Sequence, residues 1–274
     1  MAGVIQATAP WLPRLAARIA WGALRLSPIL LLGIGWELVA SSGLVTPFQL
    51  PRLSAVFLRI WDDAQTGELA INAGLTLYRA LVGFAISVVG GVLLGAAMAR
   101  SVPVRWFFDP IISVGFPMPK IAFLPIMVLW LGFFDVSKIA MIVLDAIFPV
   151  VTATVAGLNS VERELIWSAR NMGASERELL WQVMLPAALP QILTGLQVSL
   201  PLCLIVAVVA EMAMGGYGLG GAMNTASRFA DSRGVFAGIV EIAAVGYCLI
   251  KLMSLTRRRL LLWHQEAEAI ISTG

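Results

Sequence analysis

The chain has 274 residues, of which 59% are hydrophobic and 13% charged, with a formal net charge of +3. A soluble domain carries about 25% charged residues, so with a mean hydropathy of +0.88 almost no part of this chain is expected to fold free of lipid. The excess of basic residues is scattered at the ends of apolar segments, as membrane orientation demands and nucleic-acid binding does not.

Apolar runs of about 20 residues, enough to cross a ~30 Å hydrocarbon core, recur six times. Each is read as a helix, because a spanning segment must satisfy its own backbone hydrogen bonds. The first covers residues 27–44. Arg14, Arg18 and Arg25 precede it and Val39-Ala40-Ser41 lies near its end, a layout similar to a secretory signal; five further runs make it an uncleaved first helix. Residues 45–71 contain Pro47 and Pro51, then Ser54, Val56, Phe57, Ile60, Trp61 and Ala64 at helical spacing. That spacing fits a short amphipathic helix on the membrane surface or a packed connector. The remaining runs are 72–99, 106–133, 137–158, 187–213 and 234–255. The 106–133 run holds Pro110, Pro117, Pro119 and Pro125, which fits one broken helix or two short ones.

Basic residues set the orientation. With the N-terminus in the cytoplasm, the inner side receives Arg14, Arg18, Arg25, Arg100, Arg105, Arg163, Arg170, Arg177, Lys251, Arg257, Arg258 and Arg259. The outer side receives Arg52, Arg59, Lys138, Arg228 and Arg233. Twelve against five favours this arrangement, with both termini cytoplasmic. The chain thus divides into a cytoplasmic N-terminus (1–26), a first span with its outer connector (27–71), a core (72–256) with a cytoplasmic loop at 159–186, and a cytoplasmic tail (257–274).

That loop reads as two short amphipathic helices around a hinge. Leu165, Ile166, Ala169 and Met172 fall on one helical face, with Glu162, Arg163, Glu164 and Arg170 elsewhere. Gly173 supplies a helix stop. Ser175 with Glu178 three residues on forms a capping box for a second helix carrying Leu179, Leu180 and Val183, which Leu185-Pro186 closes.

The spacing of Ala169, Gly173, Val183, Leu185 and Pro186 resembles the signature loop of binding-protein-dependent ABC transporter permeases: Glu-Ala-Ala, three residues, Gly, nine residues, Ile, one residue, Leu-Pro. Here Trp167-Ser168-Ala169 stands at the triplet and Val183 at the isoleucine. From about residue 72 to 263 the chain looks like the sulfonate, taurine and nitrate group of these permeases. The likeness runs through Leu129-Trp130-Leu131-Gly132-Phe133, Gly173-Ala174-Ser175, Leu185-Pro186-Ala187-Ala188-Leu189-Pro190, Ala210-Glu211-Met212 and Gly218-Leu219-Gly220.

The resemblance implies an all-α membrane protein of about six transmembrane helices, one N-terminal helix before a five-helix type I importer core. It implies a coupling loop made of Trp167, Ser168, Ala169, Arg170, Gly173, Ala174, Ser175, Leu185 and Pro186, docked on a cytoplasmic ABC ATPase dimer. It also implies a second copy of the chain, a periplasmic or lipoprotein substrate-binding protein, a bacterial inner (plasma) membrane, and a small anionic cargo. ATP and Mg would bind the ATPase, and no cofactor this chain. No Gly-x-x-x-x-Gly-Lys-Ser/Thr stretch occurs in the sequence. The cluster Gly215, Gly216, Gly218, Gly220, Gly221 reads as a re-entrant or mouth-forming loop.

Ionisable residues inside spans are costly, so each is a functional candidate. Lys120, Asp145 and Glu211 are candidates for the translocation path; Glu37, Arg79 and Glu241 are candidates for structural ion pairs or the path. Asp145 and Glu241 stand where the family leads one to expect neutral residues, and Arg79 or Lys120 would neutralise anionic neighbours. An ion-gradient-driven secondary transporter is the alternative, since intramembrane carboxylates suit it; no clear internal repeat supports it. A membrane-embedded enzyme lacks motifs here: the cysteines, Cys203 and Cys248, lie in apolar runs, the one histidine is His264, and no catalytic or metal site can be assembled.

Overall fold

The computed structural model describes residues 12–261, with side chains from residue 27 onward; His264 and the side chains of Arg14, Arg18 and Arg25 lie outside the described residues. All regular elements among these are helical: α1 (Leu12–Ser41), α2 (Leu53–Thr66), α3 (Glu68–Arg100), α4 (Val102–Gly115), α5 (Leu124–Leu131), α6 (Asp135–Asn159), α7 (Arg163–Asn171), α8 (Glu176–Glu178), α9 (Leu185–Met214), α10 (Leu219–Arg228) and α11 (Ser232–Leu260). Four uninterrupted helical runs are long and apolar enough to cross a membrane: α3, α6, the run Glu176–Met214 that contains α9, and α11. A fifth candidate is a pair, α4 and the stretch Lys120–Leu131, bent by 96°. α1, whose apolar segment Ser27–Ser41 is shorter than these spans, stands at the first of the six expected crossings, with which the four or five spans among the described residues are roughly consistent.

The proline-rich run is broken at its middle into two helical arms. Pro117 and Pro119 contribute no backbone N–H, and between Gly115 and Lys120 the chain turns before a 3-10 turn at Lys120–Phe123 leads into α5. The turn rests on Phe148 of α6: a Cβ at Gly115 would lie 2.5 Å from its ring.

The core is α6 packed against α3 and α9. Gly83, Ser87, Gly91 and Gly95, one turn apart along α3, are all buried. A Cβ would meet Ile142 at 2.5 Å from Gly83, Val150 at 2.7 Å from Gly91 and Thr154 at 2.7 Å from Gly95. The α3 backbone therefore lies directly on the branched side chains of α6, the close approach that small residues permit in membranes. On the other side of α6, Gly195 of α9 meets the carbonyl of Pro149, and Ser199 Oγ donates to the carbonyl of Ala146 at 2.9 Å.

The connector after α1 is both amphipathic and packed. Val56 of α2 is fully buried, while Phe57 and Trp61 are exposed along its opposite edge. Trp36 Nε1 donates to the carbonyl of Pro51 at 2.9 Å, and Ser54 donates to Glu37 through its N–H (3.2 Å) and hydroxyl (2.9 Å). Arg59 Nη1 reaches Asp231, at the start of α11, at 2.8 Å.

Candidate functional site

The 159–186 loop forms the first half of its expected structure. α7 ends where Gly173, at φ +87°, takes the left-handed conformation, and the N–H groups of Gly173 and Ala174 return to the carbonyls of Arg170 and Ala169. Ser175 and Glu178 make the reciprocal capping box: the Glu178 N–H donates to Ser175 Oγ at 3.3 Å and the Ser175 N–H to Glu178 Oε2 at 2.8 Å. Arg100, at the end of α3, grips Glu176 through both its carboxylate and its carbonyl, and Arg170 adds an ion pair at 3.0 Å.

The helical face that Ala169 and Met172 share is not buried as a whole: Met172 is 80% exposed although its N–H still donates to the carbonyl of Ser168 in helical register. Leu165 and Trp167 are exposed as well. Nor does Leu185-Pro186 close a helix. From Leu179 to Met184 the chain is wound as a π-helix, with the Leu185 N–H donating to the carbonyl of Leu180. The wider turn moves the carbonyl of Gln182 off the Pro186 ring, where an α turn would collide. The helix therefore runs on unbroken as Glu176–Met214, 39 residues.

Lys120 and Asp145 come together at the bend. Lys120 Nζ lies 3.0 Å from Asp145 Oδ1, donates to the carbonyl of Phe116 at 2.7 Å, and sits 4.7 Å above the Phe148 ring. The pair opens on a cleft of about 270 Å³ whose other walls include Met118, Met141, Ile205 and Val209.

Glu211 and Arg79 meet at the opposite end of α9 from the loop. Glu211 has no exposed surface, so in place of an open path it faces a closed network. It accepts hydrogen bonds from Thr76 Oγ1 (2.8 and 3.0 Å), Arg79 Nη1 (2.6 Å) and the Gly220 N–H (3.1 Å). Arg79 also donates to the carbonyl of Tyr217 at 2.7 Å and to Asp135, at the first residue of α6, at 2.7–2.8 Å. The Thr76 hydroxyl accepts from the Leu219 N–H, Asn72 accepts from the Gly218 N–H, and Lys138 donates to the carbonyl of Gly215. The glycine-rich segment thus folds over a carboxylate. A Cβ on Gly218 would fall on that carboxylate, and one on Gly221 would strike the carbonyl of Gly216.

Residues 87–261 match the family described as binding-protein-dependent transport system inner membrane component. The chain belongs to that family. The permease is 32% identical over 251 residues to the putative aliphatic sulfonates transport permease protein of Bacillus subtilis, covering 92% of this chain and 91% of the relative. To the taurine transport system permease protein of Escherichia coli it is 34% identical over 238 residues, 85% and 86% of the two chains. Among solved structures, a crystal structure of an amino acid ABC transporter with histidines superposes with a TM-score of 0.58 at 20% identity, over 72% of this chain and 95% of that one. This likeness is one of fold. The permease is accordingly a multi-pass inner membrane protein and a transport component rather than an enzyme.

The other intramembrane charges of the permease sit apart from both clusters. Glu37 is held by Ser54. Glu241 of α11 is buried, its Oε1 without a hydrogen-bond partner among the described residues, beside a small cavity that Arg59, Asp63 and Glu68 also line. Burial opposes the charge on Arg59, but Asp63, Asp231 and Glu68 outweigh it and raise the guanidinium above its ordinary value. Thr76, Asn72 and Asp135 join the Arg79–Glu211 network and were missed by sequence reasoning. Asp135 carries a signal, a carboxylate at the first turn of a span; Thr76 and Asn72 carry none that separates them from ordinary polar residues.

Proposed function

We propose that two copies of this permease form the membrane path of an ATP-driven importer for a small anionic solute such as a sulfonate, taurine or nitrate. The observation that carries the reading is the end of the 159–186 loop. Trp167 and Met172, 57% and 80% exposed, project from the end of α7, which Arg170 ties to Glu176; Arg100 of α3 holds that same Glu176, and one continuous helix across the membrane follows. Large apolar side chains in water on a fixed support are what a partner groove takes up.

In this reading a cytoplasmic ATPase dimer docks around Gly173 and binds ATP and Mg²⁺, and both termini lie on the same side as the loop. A binding protein delivers solute at the opposite end, where the glycine-rich segment folds over Glu211. Each nucleotide state of the ATPase favours one arrangement of its two docking grooves, and the continuous helix carries that preference across the membrane. Lys120 and Asp145 belong to the path; Arg79 and Glu211 hold its outer rim together. The names of the sulfonate and taurine relatives support the cargo class.

The test is uptake in proteoliposomes holding the permease, its ATPase and its binding protein. Uptake is expected to require internal ATP and to be lost with Trp167→Glu. Uptake that persists without ATP and collapses with an uncoupler would overturn the proposal in favour of gradient-driven transport.

A further inference from the structure

Asp145 stands ten residues along α6 from its first residue Asp135, about 15 Å at 1.5 Å per residue. That is half the ~30 Å hydrocarbon core. A lysine and a carboxylate at such depth are not turned towards acyl chains, yet their side chains remain 10% and 17% exposed, on the cleft at the bend. The cleft measures about 270 Å³. A water molecule takes ~30 Å³ of liquid, so the space suits a solute of a few heavy atoms.

The two members of the pair are not equally committed. Besides Asp145, the Lys120 ammonium is held by the carbonyl of Phe116 and by the rings of Phe148 and Phe116, at 4.7 and 5.7 Å. It keeps these three partners when the carboxylate moves away, and so presents a fixed positive charge with one exchangeable counter-ion.

We propose that the Lys120–Asp145 pair is a transit site for the solute, and that it favours a solute bearing one anionic and one cationic group on a short aliphatic chain over a simple anion of equal length. A simple anion that takes Lys120 strands Asp145 beside a second negative charge in a poorly solvated cleft. A solute with both charges replaces each member of the pair, leaves the net charge unchanged, and lays its carbons against Met118, Met141, Ile205 and Val209. The site acts only on a solute in passage and so rests on the importer reading above.

The experiment is competition binding to the permease–ATPase complex in nanodiscs. The probe is labelled 2-aminoethanesulfonate, with unlabelled ethanesulfonate and ethylamine as competitors. The wild type is expected to bind the probe and to resist ethanesulfonate. Asp145→Asn should weaken probe binding by about tenfold to a hundredfold, the scale of one charge-assisted hydrogen bond, and let ethanesulfonate compete as well as the probe. Lys120→Arg, which keeps the positive charge, should retain the preference for the doubly charged solute, and an unchanged unfolding midpoint in Asp145→Asn separates recognition from mere misfolding. Ethanesulfonate competing equally in the wild type, an unchanged preference in Asp145→Asn, or no probe binding at the solubility limit would each overturn the proposal. Failure of the importer reading shows elsewhere: the permease would then not co-purify with the ATPase, nor would the binding protein stimulate ATP hydrolysis.

Discussion

Arg79 and Glu211 are 132 residues apart in sequence and 2.6 Å apart across the bundle. Both are buried: without Arg79, Glu211 is an unpaired charge away from water, and without Glu211, Arg79 keeps only Asp135. Arg79→Ala or Glu211→Ala is expected to cost about 3–5 kcal/mol, the range for breaking a buried pair from one side. The double variant should lose clearly less than the sum, since neither charge is then stranded. Thermal unfolding of the four proteins in detergent measures the cycle, and additive losses would show that the two side chains act independently.

Two glycines that look alike in sequence should respond differently to alanine. At Gly221 the added methyl strikes the carbonyl of Gly216, so Gly221→Ala should open the glycine-rich segment and destabilise the permease as strongly as loss of Arg79. At Gly173 nothing lies within 4 Å of the new methyl. Only the left-handed conformation is penalised, by about 1–2 kcal/mol, and Gly173→Asn should cost less still. Limited proteolysis near each site, alongside thermal unfolding, separates the two cases.

Trp167→Glu combined with Met172→Asp removes two exposed side chains that the fold does not use. The unfolding midpoint should change little. Co-purification of the ATPase should weaken by on the order of 30-fold or more, since central aromatic anchors contribute ~2 kcal/mol or above. An intact complex with this double variant would remove the docking role from the α7 end.

Asp231 acts twice: it pairs with Arg59 at 2.8 Å and accepts the Gly234 N–H as N-cap of α11. The ion pair is about a third exposed on each side, so Arg59→Ala should cost at most about 1 kcal/mol. Asp231→Ala removes the cap as well and should cost about 1 kcal/mol more. Arg59→Ala also removes the pair with Asp63 at 2.9 Å, so the cap is isolated by making Asp231→Ala in the Arg59→Ala background, where no further loss would mean that the cap contributes nothing.

The spans and the charges within them were legible in the sequence because hydropathy and the cost of burying charge are local properties. Arg79, Lys120, Asp145 and Glu211 all stood out that way. Which charge meets which was not legible, since Arg79 finds Glu211 only once α3 and α9 are both laid against α6. Thr76 gives no sign in an apolar run that its hydroxyl bridges Glu211 and Leu219. Lys138, counted from sequence among outer-side residues, is buried and tied to Gly215 because the chain folds back over it. The stop at Leu185-Pro186 followed proline's local rule; the π-wound turn satisfies that rule by spacing, without breaking the helix.

That unbroken helix has a mechanical corollary. At 1.5 Å per residue its 39 residues trace about 58 Å, through the π-wound turn and past Pro190 and Pro201; moved as one body, a tilt of about 5° at the Ser175 end sweeps the far end through about 5 Å. One turn short of the tip, Met214, stands Glu211, which is fastened to Arg79 and to the backbone of the glycine-rich segment. A displacement of that size is comparable to a whole helical turn, enough to shear those fastenings. Moved as one body, this helix turns a modest swing at the loop side into travel at the far mouth.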